Sequence, residues 1–173
     1  MSSEALAAWV GVALTLAISI WSLTIAKRAE RAARDDRDER EAARVSGWVS
    51  FVYSKEDESD KRKWKNVLVI RNGAEAAIHQ VEATATMNGN QEVTFNAKVC
   101  LPGESYAEWV PSFKRQHKNR AWTLLSSCEE LLQSGHFFRP YTVADKWTLV
   151  SLAFTDALGK RWRFTPGSGI SAV

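Results

Sequence analysis

Residues 78–100 read IHQVEATATMNGNQEVTFNAKVC, and their pattern decides the fold. Val81, Ala83, Ala85 and Met87 alternate with Glu82, Thr84 and Thr86. That period of two places apolar side chains on one face of a strand and polar ones on the other. Asn88-Gly89 follows, a dipeptide suited to the positive φ values of a tight hairpin turn. Val93, Phe95, Ala97 and Val99 then resume the alternation. Two antiparallel strands joined by a turn are expected here.

The same period extends outward in both directions. Val49, Phe51 and Tyr53 alternate ahead of it, then Val67 with Val69, or Trp64, Leu68 and Ile70 on the other face. Beyond it lie a short run from Tyr106 to Val110, a longer one from Trp147 to Thr155, and a last one from Lys160 to Thr165. Asn72-Gly73, Pro102-Gly103 and Asp156-Ala157-Leu158-Gly159 supply turn chemistry between runs. Strands without intervening helices predict a mainly β domain, an antiparallel sandwich over 47–166.

One insertion, 111–136, breaks the pattern. It opens with the basic run FKRQHKNR at 113–120 and continues AWTLLSSCEELLQSG at 121–135. Trp122, Leu125, Cys128 or Glu129, and Leu132 fall at helical spacing, so a short amphipathic helix is expected from about Ala121 to Gln133, stopped near Gly135. Such an insertion caps an open end or a sheet edge. It is also where idiosyncratic function is grafted onto a scaffold. Phe113, Lys114, Arg115, His117, Lys118, Arg120 and Trp122 are therefore the candidate interaction surface.

The segments IRNGAEAAIHQVEATATMNG (70–89), LPGESYAEW (101–109) and FTDALGKRWRF (154–164) together resemble the small immunoglobulin-like domains of uncharacterised single-pass membrane proteins common in actinobacteria. The resemblance covers Gly47 to about Pro166, with the helical insertion unmatched. It implies an immunoglobulin-like sandwich and carries over no activity and no functional residue.

At the N-terminus, Ala5 to Ala26 (ALAAWVGVALTLAISIWSLTIA) holds no charged side chain. At 1.5 Å per helical residue it is long enough to cross a hydrocarbon core of roughly 30 Å. Only Ser2, Ser3 and Glu4 separate Met1 from it, so the basic n-region of a secretory signal is missing, and Lys27 and Arg28 follow at once. An uncleaved transmembrane helix is expected over 5–26 after a short tail, 1–4. Trp9 and Trp21 sit toward opposite ends of the span, and with Lys27 and Arg28 they are the expected membrane-interface anchors. The basic flank continues through Arg31, Arg34, Arg37, Arg40 and Arg44. By the positive-inside rule the N-terminus lies outside the cell membrane and the domain lies in the cytoplasm.

Residues 27–46 are rich in Ala, Arg and Glu, with opposite charges at helical spacing, as in Glu30 with Arg34 and Arg37 with Glu41. They predict a charged helical stalk whose helical part, Lys27 to Arg44, spans about 27 Å, with Ser46 and Gly47 as its stop. The candidate apolar seam of Ala26, Ala29 and Ala33 runs into Asp36 and Arg40, which argues against a coiled coil. Residues 167–173 complete the chain as a flexible tail.

A formal charge of +3 is too small to imply general polyanion binding. Cys100 and Cys128 lack CxxC or metal-ligand spacing and read as buried free thiols. His79, His117 and His136 are scattered, and no nucleophile elbow, Walker loop or GxGxxG occurs. No enzymatic activity, cofactor, metal or small-molecule substrate is expected. The leading expectation is a membrane-tethered protein-interaction module, an adaptor or accessory subunit, with the lipid bilayer and another protein as partners. The alternatives are a membrane-anchored accessory protein binding DNA or anionic lipid through the basic run, or an exported ligand-binding or adhesive domain if the topology is reversed.

Overall fold

A computed structural model describes residues 3–89, 91–111 and 121–173; within the N-terminal helix, side chains are described at 14–16 and from 18 onward. The chain divides into two units, Met1–Glu39 and Arg40–Val173. Helix α1 covers Ser3–Ala42. In its first unit Arg34 pairs with Glu30 as the spacing predicts. The hydroxyls of Ser19 and Thr24 donate to the carbonyls of Thr15 and Trp21, at 2.8 and 2.6 Å. Among the described residues no helix is long and apolar enough to cross a membrane. Of the expected span 5–26, side chains 5–13 and 17 lie outside the described residues.

The helix stops at Ala42, earlier than the expected 46. Ala42 and Val45 are both buried in the core, and Ser46 and Gly47 already pair with Arg71 and Ile70. Burying two apolar side chains outweighs extending a solvated helix. Behind this entry Gly73 donates its N–H to the Arg44 carbonyl at 3.1 Å. A Cβ at position 73 would stand 2.8 Å from that oxygen, so only glycine permits the approach.

Ten strands follow: β1 Val45–Ser54, β2 Lys65–Asn72, β3 Ile78–Met87, β4 Gln91–Cys100, β5 Gly103–Glu108, β6 Ser126–Ser127, β7 His136–Pro140, β8 Thr148–Thr155, β9 Arg161–Thr165 and β10 Gly169–Ala172. They form two antiparallel five-stranded sheets, ordered β6-β5-β2-β1-β7 and β10-β9-β8-β3-β4. All seven expected strands are present. Val49, Leu68, Ile70 and Ala107 of the first sheet share one buried core with Val81, Ala83, Ala85, Met87, Phe95, Leu152, Phe154 and Trp162 of the second. The alternation read in β3 is the inner face of that core.

Both apolar rows of β2 are buried. Leu68 and Ile70 point into the sandwich, while Val67 and Val69 lie in a second cluster with Val52, Cys128, Leu131, Tyr106 and Phe138. Helix α2, Cys128–Gln133, provides the cover. It links β6 at one edge of the sheet to β7 at the other. Four interstrand spacings amount to about 19 Å. Six helical residues supply about 9 Å of that, and the turn at Ser134 and Gly135 leads into β7. The insertion thus caps the β5 edge of this sheet, as expected, and in addition straps the sheet's outer face.

The helix is also shorter than its spacing suggests. Residues 121–125 are extended, because Val110 N donates to Ala121 O at 2.8 Å and Thr123 N to Glu108 O at 2.9 Å, prolonging the β5 ladder. Trp122 bridges to Trp109 across this arm and sets its ring edge-on to Phe95 at 6.2 Å. The helix begins only where the Ser127 hydroxyl caps Glu129 N, and it ends at Gly135 with φ 81°. Residues 169–172, expected in the flexible tail, pair with β9 as β10.

A ladder of rings closes the end of the sandwich away from Val45. Trp109, Trp147, Tyr141, Phe51, Trp64, Tyr53 and Phe137 meet successively at centroid distances of 4.4 to 5.8 Å, with Phe51 and Trp64 stacked. Asp57 accepts from Lys63 at 2.6 Å and Ser54 at 2.9 Å, and its carbonyl accepts from the Trp64 indole at 3.0 Å. The Lys63 and Ser54 bonds hold the Asp57 carboxyl below its ordinary value. This support is present above that value and is lost as pH falls through the lowered one.

At the opposite end Asp156 organises the β8–β9 turn. One carboxylate oxygen accepts from Leu158 N and Lys160 N, both at 2.9 Å, and the other accepts from the indole of buried Trp162 at 2.8 Å. Asp156→Ala strands that indole donor in the core. The expected cost is about 2–3 kcal/mol, read as a lower denaturant midpoint with an unchanged slope. A loss below about 0.5 kcal/mol would show that the turn holds without it.

Candidate interaction surface

The four sheet edges differ in how well they are protected. Strand β6 has two residues and β10 four, and β7 ends in Arg139 and Pro140, whose ring lacks an N–H. Strand β4 is ten residues long and is paired on one side only, by β3. Among the described residues it is the one long edge whose outward backbone groups have no strand beside them. Its buried positions, Val93 and Phe95, anchor it in the core, while Glu92, Thr94, Asn96 and Lys98 are exposed on its outer face.

A depression of about 670 Å³ runs beside this edge, lined by 94–99 of β4 and by the extended arm 121–125. It shares Val99 and Leu125 with a second one of about 640 Å³, lined also by Leu101, Pro102, Cys128 and Leu132. Leu124 is 71% exposed and Leu101 67%, with Leu132 and Val99 also open. These side chains form an apolar floor along the two depressions, and Lys98 of β4 also lines the first. Exposed apolar residues arranged this way mark contact surfaces more often than scattered ones do.

Of the expected surface residues, Phe113, Lys114, Arg115, His117, Lys118 and Arg120 lie outside the described residues. Trp122 is described and is only 6% exposed. It therefore serves as a core anchor for the arm rather than offering a ring to a partner, because its inward side completes the packing around Phe95. Its indole N–H and that of Trp109 have no acceptor among the described residues. Of the expected membrane anchors, Trp21, Lys27 and Arg28 are exposed, and the side chain of Trp9 is not described.

A feature with no trace in the sequence pattern lies on the outer face of the second sheet. Gln80 adopts φ 48°, and the β3–β8 register shifts between His79 and Glu82. This bulge borders a shallow depression of about 750 Å³ lined by His79, Glu82, Lys98 and Arg161. Arg161 crosses it to Glu82 at 3.3 Å and to the Gln80 carbonyl at 3.4 Å, so its charge is engaged. Among the described residues no group of three or more His, Cys, Asp or Glu is placed to hold a metal ion.

Both cysteines are free and buried. Burial, with the Glu104 charge adding to it, pushes the Cys128 thiol up to about 12, and burial also raises Cys100. Thiolate is the reacting form. Both are expected to resist alkylation at pH 8 in the folded protein and to react fully in denaturant, as counted by mass spectrometry. Rapid labelling of native Cys128 would mean that the strap opens readily.

No protein-family model, curated protein or solved structure shows significant similarity to this chain.

Proposed function

We propose that this protein is a membrane-tethered interaction module whose immunoglobulin-like sandwich, on the cytoplasmic side, receives a partner along β4. The observation that carries this reading is the open ten-residue edge of β4 beside the apolar floor of Leu101, Leu124 and Leu132. An edge of this kind accepts an added strand through its backbone, while neighbouring pockets select side chains.

Connectivity supports the immunoglobulin-like assignment. Strands β1, β2 and β5 lie side by side as A, B and E do in such domains, and β3, β8 and β9 lie side by side as C, F and G do. Strand β4 beside β3 matches the strand that variable-type domains add next to C. The extra strands β6 and β7 belong to the strap.

The tether rests on the uncharged segment 5–26 and on the described part of α1. There Leu14, Leu16, Ile18, Ile20, Leu23 and Ile25 are each more than half exposed. A helix that is apolar on all sides needs lipid or protein around it. Ser19 and Thr24 satisfy their hydroxyls on the helix's own carbonyls, which suits a medium without water. The Lys27 and Arg28 flank supports cytoplasmic placement of the domain.

A photo-reactive side chain in place of Leu124 in the full-length protein is expected to capture one defined protein species. The same group in place of Leu158, equally open on the β8–β9 turn, is expected to capture none. Equal labelling from both positions, or none from 124, would sink the docking assignment. For the tether, carbonate-washed membranes should retain the wild-type chain, and Leu16→Arg with Ile20→Arg should release it. Release of the wild type by carbonate would remove the anchor.

A further inference from the structure

Resting on the reading of β4 as the docking edge, we infer that its partner is a second copy of this chain, added antiparallel to β4 about a two-fold axis normal to the sheet. Such an axis places each residue of one strand opposite a residue of the other and leaves both faces on their own sides. The exposed row of β4 reads Glu92, Thr94, Asn96, Lys98. With the axis at Phe95, Glu92 faces Lys98 of the second copy, Lys98 faces Glu92, and Thr94 faces Asn96. Every one of these charges is matched, giving two opposite-charge pairs across the axis. Moving the axis one residue either way leaves all of them unmatched.

The same register overlaps residues 91–99, nearly the whole of β4. It merges the two five-stranded sheets into one continuous sheet across the axis. A strand seated there also lies against the arm 121–125 and covers Leu124, which stands beside this edge. The backbone ladder and that apolar cover supply affinity. Each exposed cross-strand charge pair adds only about 0.2–1 kcal/mol and chiefly selects the register.

Charge reversal tests the pairing in full-length protein by sedimentation equilibrium in detergent. Lys98→Glu and Glu92→Lys each convert two matched contacts into two like-charge contacts, and each is expected to weaken dimerisation about tenfold. The double variant E92K/K98E exchanges the charges and is expected to restore the wild-type constant within about threefold. Both side chains are exposed, so all three variants should melt with the wild type. A chain that stays monomeric, a dimer indifferent to the single reversals, or a double variant as weak as the singles would overturn the inference. If the chain is monomeric while position 124 still captures a different protein, self-pairing fails and the docking edge stands. If neither occurs, both fail.

Discussion

Strands β1 and β2 carry apolar side chains on both faces, and the rest of the domain is arranged around that constraint. A sandwich covers only one face of each sheet. Val49, Leu68 and Ile70 are covered by the opposite sheet, but Val52, Val67 and Val69 need a second layer. The strap from Ser126 to Pro140 provides it, crossing the sheet from the β5 side to the β1 side. Cys128 and Leu131 sit over the valines, and the polar face of α2, with Glu129 and Glu130, faces water. Burial of Cys128 and the upward shift of its pKa are by-products of this packing, whereas Cys100 is buried in the main core.

The strap also settles which edges are open. By delivering β7 to the far side of β1, it ends that sheet in a short strand carrying Arg139 and Pro140, both poor templates for further pairing. On the other side, the arm 121–127 closes the β5 edge and seats Trp122 against Phe95. Nothing comparable covers β4 among the described residues. Leu124 stands beside it because the arm 121–125 reaches the β4 side of the sandwich, with no hydrogen bond to β4 among the described residues. Surface chemistry and sheet topology therefore converge on one edge.

The two ends of the sandwich are held by different means. Near the chain entry, polar groups do the work: buried Asn72 donates to Ala76 and Cys100 carbonyls, and Asp156 accepts from a buried indole. At the far end, aromatic stacking dominates, each ring contact contributing about 0.5–1.5 kcal/mol beyond area burial. Tyr141 ties the two modes together by donating to Asn66 at 2.6 Å while stacking on Trp147.

The sequence by itself determined the seven principal strands and their turns, because a period of two and the turn residues are local properties. Gly135 and Asp156 were readable for the same reason, as was the burial of both cysteines. The helical spacing of Trp122 with Leu125 was misleading: the same spacing arises when an extended arm buries one ring and a capped helix starts six residues later at Cys128. Strand β10 was too short to show a period, β7 (HFFRP) sets two Phe side by side and so does not alternate, and the end of α1 was decided by the core that accepts Val45. Only the tertiary structure decided that β4 lies at an edge and that Leu124 stands beside it. Which strand lacks a neighbour depends on how the chain crosses between sheets, and no local pattern records those crossings.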